Sequence, residues 1–233
     1  MPLLSRVATA VAITVAVLLS GAVAQAQDSQ APGNQAQGAD EWQEPFRVFL
    51  ADPDYVNALG EQIDLVEQQI APECIQVLKN ANRRELRVRV KPVFKAGTLW
   101  PIWGEWREQI SIERCNEPVI HNVLVTARPD GAPQLTSLLP GNTRASVEMQ
   151  IAASRPVVDI ANARMGKECP SGQRDIVDTV VVGFLDGTEK EPIARQKWRE
   201  YWLVRLCAKY LTVQVDFQPD GKGGFTHSTD LIE

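Results

Sequence analysis

Few side chains in this 233-residue sequence have the type and spacing to do chemistry. It holds four cysteines and two histidines. The cysteines, Cys74, Cys115, Cys169 and Cys207, are no closer than 38 positions to one another. A structural zinc site wants Cys-x2-Cys or Cys/His clustering, and none occurs. A reactive thiol wants a nearby histidine and an electropositive setting, and neither His121 nor His227 stands in such a motif. An even number of cysteines in an exported chain points instead to two disulfides. No metal or cofactor is expected.

Two further groups draw attention. Trp100, Trp103 and Trp106 fall within seven residues, in W-P-I-W-G-E-W. Exposed Trp is favoured at recognition surfaces, so these three form a candidate recognition patch, set against packing in the core or a hairpin. Glu105 and Glu108 could act as acid and base in glycoside hydrolysis, set against two ordinary acids on a strand. The run Pro219 to Gly224, PDGKGG, lacks the spacing of a phosphate-binding loop and reads as a hairpin turn. His121 reads as a strand side chain and His227 as a solvated one.

The N-terminus indicates where these residues work. Arg6 precedes an apolar run from Val7 to Leu19, and Ala24-Gln25-Ala26 matches a signal-peptidase site. Thirteen apolar residues fall short of the roughly 20 that a membrane span needs. Residues 1–26 are therefore expected to be a signal peptide cleaved after Ala26 or Ala24, leaving no stable membrane span. Residues 27–41 lack apolar periodicity and read as a tether. The chain is expected in the periplasm or outside the cell. Cleavage removes one charge and moves the formal balance from −5 to −6, which argues against nucleic acid as a partner.

The remainder contains one plan twice. Trp106-Arg107-Glu108 and Trp198-Arg199-Glu200 each begin nine residues before a cysteine. Phe94 to Thr98 (FKAGT) is answered by Phe184 to Thr188 (FLDGT), and Pro129-Asp130-Gly131 by Pro219-Asp220-Gly221. Cys, F-x-x-G-T, W-R-E, Cys and P-D-G thus recur in one order, the mark of a tandem duplication. The expected units are 42–135 and 136–233.

Periodicity fills in the elements. Tyr55, Val56, Leu59, Ile63, Val66 and Ile70 recur every three or four positions, and Asp52 or Asp54 can cap the start, predicting a helix over 52–71. Asn142 or Thr143 opens a comparable stretch to about Met165, which Pro156 should break or kink. Leu86-Val88-Val90, Ile110-Ile112 and Leu211-Val213-Val215-Phe217 alternate with polar residues as half-exposed strands do. Val180-Val181-Val182 reads as a more buried strand. A short fourth strand is expected near Thr98–Trp103 or Phe225–Ser228. In a strand, Trp106 and Glu108 share one face and Arg107 the other; the ordinary expectation is a packing Trp beside exposed charges in cross-strand pairs.

The fold expected is α+β: two duplicated units, each a helix packed on a small antiparallel sheet with one disulfide inside the unit. The preferred pairing is Cys74–Cys115 and Cys169–Cys207, with a cross-copy pairing left as the alternative. This layout resembles that of secreted enzyme inhibitors of the β-lactamase inhibitory protein type; the resemblance is one of layout alone and does not extend to W-R-E or F-x-x-G-T. It implies a protein partner. The expectation for function is a non-catalytic exported protein that binds a protein or an envelope ligand. The alternative is a cell-wall or glycan hydrolase using paired carboxylates.

Overall fold

Two runs of alternating apolar and polar residues, each divided by turns, build two antiparallel sheets. The computed structural model describes residues 41–74, 81–165, 169, 174–207 and 209–232. The expected signal peptide and nearly all of the tether lie outside the described residues. The first sheet is a meander of β1 (Asn82–Phe94), β2 (Pro101–Arg114), β3 (Glu117–Arg128) and β4 (Gly131–Ser137). The second repeats it with β5 (Arg174–Phe184), β6 (Trp198–Leu206), β7 (Lys209–Pro219) and β8 (Phe225–Ile232). Helices α1 (Gln43–Leu50) and α2 (Pro53–Ile70) cover the first sheet, and α3 (Val147–Met165) covers the second. Among the described residues no helix is long and apolar enough to cross a membrane.

The two central hairpins have the same register. Trp106 pairs with Val125 and Glu108 with Val123; Trp198 pairs with Phe217 and Glu200 with Val215. Each tryptophan therefore faces the residue 19 positions later and each glutamate the residue 15 positions later. Both hairpins turn at their cysteine. Cys115 and Asn116 have φ of 47° and 68°, and Cys207 has φ of 55°, the positive values that a tight two-residue turn demands. The disulfides are Cys74–Cys115 and Cys169–Cys207, closing 41 and 38 positions, so each ties the end of a unit's helical segment to its central hairpin.

Helix α2 forms as its sequence dictates. Asp52 Oδ1 accepts from the backbone N–H groups of Asp54 and Tyr55, both at 3.1 Å, and Pro53 needs no N–H partner at the first helical position. Tyr55, Leu59, Ile63 and Ile70 are buried. Helix α1 has no counterpart in the sequence reading. Eight residues give too short a stretch for periodicity to register, yet Phe46, Phe49 and Leu50 are all buried. Their rings close the first core around Trp106, at centroid distances of 5.0 Å for Phe46 and 5.6 Å for Phe49.

Four expectations are corrected. Pro156 does not divide α3, which runs unbroken from Val147 to Met165. Ala153, Val157 and Ala161 form a buried stripe at four-residue spacing. Burial of that stripe holds the helix together, while the carbonyl deprived of a partner belongs to exposed Ala152. The helix also starts later than Asn142 or Thr143: Ser146 Oγ accepts from Met149 N at 3.3 Å. Val180 and Val182 are each 48% exposed rather than buried, because strand alternation turns them to the outer face, while Thr179, opposite buried Trp202, faces the core. The fourth strand follows Pro-Asp-Gly in both units, as β4 and β8, whereas Pro101–Trp103 opens β2.

The units are packed against each other. Ile70 and Ala71, at the end of α2, are buried with Val177 of β5. Arg114 Nη1 donates to Val177 O at 3.1 Å, and Arg205 Nη2 donates to Gln69 O at 2.8 Å. The segment between the units docks on the edge of β5, where Asn142 N donates to Thr179 O at 2.6 Å.

Candidate functional site

The shared motif builds a buried carboxylate in each unit. On one strand face, residues i and i+2 are neighbours, so the indole of each W-R-E tryptophan reaches the glutamate two positions on. Trp106 Nε1 donates to Glu108 Oε1 at 3.0 Å, and Trp198 Nε1 donates to Glu200 Oε1 at 2.8 Å. Both glutamates are fully buried, which corrects the expectation of exposed charges. Burial of a carboxylate requires several donors. Glu108 also accepts from the Tyr55 hydroxyl and from Arg83 Nε, the latter at 2.6 Å. Burial, and then the Glu108 charge, push the Tyr55 hydroxyl well above its ordinary pKa, so Tyr55 remains a donor. Glu200 accepts from Thr143 Oγ1 at 2.7 Å, Arg144 N at 2.8 Å and Trp202 Nε1 at 2.9 Å.

The arginines between them point the other way and differ. Arg199 forms a two-pronged pair with Asp216, both bonds at 2.7 Å, the cross-strand pair expected of a strand face. Arg107 instead donates to Asn122 Oδ1 at 2.6 Å and to Thr143 O at 3.5 Å. Thr143 thereby touches Arg107 of the first motif through its carbonyl and Glu200 of the second through its hydroxyl.

A partly buried charge cluster stands at the junction of the units. Glu67 of α2 accepts from Arg114 Nη2 at 2.6 Å and from His121 Nε2 at 2.7 Å. Burial opposes ionisation of Glu67, but the hydrogen bonds from His121 and Arg114 outweigh it and hold the carboxyl at about 2. His121 is thus a buried strand residue locking helix to sheet. His227, in β8, is half-buried near the Phe217 ring.

The tryptophan trio separates. Trp106 lies in the core and leaves the candidate patch; its place two residues before a buried carboxylate on the core face explains why. Trp100 is half-buried, 5.7 Å from the Phe49 ring. Trp103 remains outside, 64% exposed, opposite Val93, which is 47% exposed. With Val90 and Leu99, each 40% exposed, they make an apolar surface at the end of the β1–β2 hairpin.

That end is built differently from its counterpart. Both F-x-x-G-T turns use the same bonds: Thr98 N donates to Lys95 O and Thr188 N to Leu185 O, each at 3.1 Å, with both hydroxyls donating to the same carbonyls at 2.8 Å. Yet Phe94 pairs with Pro101, five residues before its motif tryptophan, whereas Phe184 pairs with Trp198 itself. The first hairpin therefore carries an extra length of paired strand. The second replaces it with a longer loop holding short 3-10 turns at Thr188–Lys190 and Ile193–Arg195. Gly104 permits the extension: its φ is +129°, and a Cβ there would lie 2.8 Å from Pro92 Cα.

Glu105 and Glu108 do not converge. Three positions apart on a strand, they face opposite sides of the sheet. Glu105 meets Arg89 at 3.2 Å on the outer side, and Glu108 is in the core. PDGKGG is a hairpin turn between β7 and β8: Asp220 Oδ1 accepts from Lys222 N at 2.7 Å and Gly224 N at 2.9 Å. Comparison with family models, with curated proteins and with solved structures finds no match.

Proposed function

We propose that the chain is an exported, non-catalytic binding protein whose contact surface is the outer face of the β1–β2 hairpin. The observation that carries this reading is the exposed cross-strand pair of Trp103 and Val93, on a hairpin extension that the second unit lacks. Large aromatic side chains left outside a core are most economically explained by a partner that covers them. The apolar N-terminal segment, its Ala-x-Ala site and two disulfides support a route through an oxidising compartment.

Crosslinked capture from the cell-envelope fraction tests the reading. The chain should recover a partner that a Trp103→Ala variant recovers poorly and an Ile193→Ala variant, altered on the opposite hairpin, recovers normally. Equal recovery by all three would remove the hairpin from the account.

A further inference from the structure

The charge of the two equivalent hairpins separates them as clearly as their length. From the start of β1 to Trp106, residues 82–106 carry six Lys or Arg and two Glu. The matching 25 residues of the second unit, 174–198, carry four Lys or Arg and five Asp or Glu. A hairpin of +4 thus sits in a chain whose formal charge is −5. Arg83 is paired with buried Glu108, Arg87 with Glu85, and Arg89 with Glu105 and, at 3.8 Å, with Glu148. Arg84, Lys91 and Lys95 are exposed and outside every ion pair of the described residues. Lys91 and Lys95 flank Val93 along the chain, and Arg84 lies toward the opposite end of β1.

We infer that this hairpin docks on an anionic membrane surface. The inference rests on the hairpin being the recognition surface and names what it recognises. Aliphatic side chains and an amphipathic indole on a hairpin that also carries Lys91 and Lys95 suit the boundary between acyl chains and headgroups. There the indole settles at headgroup level and lysine stems reach toward phosphate. An anionic surface repels the rest of the acidic chain, so contact is confined to the hairpin and given one orientation. Addition of a partner's strand to the free edge of β1 fits less well: three stretches of register shift beyond Glu85, Pro92 and a row of cations blunt that edge.

The test uses the chain from Gln27, which keeps every described residue and excludes the apolar run 7–19 as a source of binding. Probes are sedimenting vesicles of phosphatidylglycerol with phosphatidylethanolamine, and vesicles of phosphatidylcholine alone. The chain should bind the former, lose binding as salt is raised, and ignore the latter. Lys91→Glu/Lys95→Glu and Trp103→Ser should each weaken binding about tenfold or more. Val180→Ser/Val182→Ser should leave it unchanged, with thermal unfolding showing all variants folded. Binding that survives the hairpin substitutions overturns the proposal, as does no binding to anionic vesicles. If vesicles fail while envelope capture still depends on Trp103, the partner is a protein and only the lipid assignment falls. If both fail, the hairpin is not a recognition surface.

Discussion

Glu108 and Glu200 occupy the same strand position, take the same indole hydrogen bond and are equally buried, yet their remaining partners share nothing. Glu108 meets a guanidinium and a phenol, from β1 and α2. Among the described residues the hydrogen-bond donors to Glu200 are two indoles, a hydroxyl and a backbone N–H, with no arginine or lysine side chain. The fixed part of W-x-E is thus the strand-borne pair, and each unit completes the carboxylate's shell from whatever packs above it. In the second unit that is the inter-unit segment at Thr143–Arg144, so the second core includes the connection to the first. The Trp and Glu of the motif are built into the core in both copies, and the copies diverge in the hairpin ahead of it.

Substitutions can break this comparison. Arg83→Met would leave the Glu108 charge buried without its cation, at a cost of about 3–5 kcal/mol in urea unfolding. Adding Glu108→Gln should recover part of the loss. An effect on the scale of a surface substitution would show that Arg83 does not hold the first carboxylate. The disulfides should behave alike, because they close loops of 41 and 38 positions. Serine replacement of either pair should cost about 4 kcal/mol in the chain-entropy picture, and a large difference would mean the units are not equivalent scaffolds.

Thr143→Val should cost about 1–3 kcal/mol by removing a donor from a buried carboxylate. Gly104→Ala should cost a similar amount, about 1–3 kcal/mol, through its positive φ and the approach of Pro92. Gly183→Ala, with open space at its Cβ, should change stability by only about 0.5 kcal/mol or less. Equal effects at the two glycines would erase the claimed difference between the hairpins. Another effect concerns pH. Folding lowers the Glu67 pKa from the ordinary 4.5 to about 2, so the folded chain binds fewer protons there. Its contribution is complete above about pH 4.5 and fades as pH falls toward 2. A Glu67→Gln variant should therefore show a shallower acid limb in thermal melts.

Much of the scaffold is legible in the sequence because it depends on local rules. Alternation placed β1, β2 and β7; Asp52 and the three-to-four spacing placed α2; the repeated landmarks chose the disulfide pairing. What escaped depends on remote partners. Nothing near Glu108 or Glu200 announces burial, since Tyr55 lies 53 positions and Thr143 57 positions away. The one local clue is a Trp two residues before an acid on an otherwise apolar strand face. Pro156 misled because packing of Ala153, Val157 and Ala161 outweighs one lost hydrogen bond. The valine run misled because β-branched residues look alike on edge and central strands. Of the tryptophan cluster, strand parity separates Trp103 from Trp106, whereas the half-burial of Trp100 depends on Phe49 of α1.

Side-chain footprinting by hydroxyl radicals, with and without the cell-envelope fraction, tests most directly the claim that the two units share a scaffold and differ in their hairpins. Protection should appear at Trp103, Val93 and Leu99 and be absent at Val180, Val182 and Ile193. Protection of the second hairpin, or of neither, would contradict it.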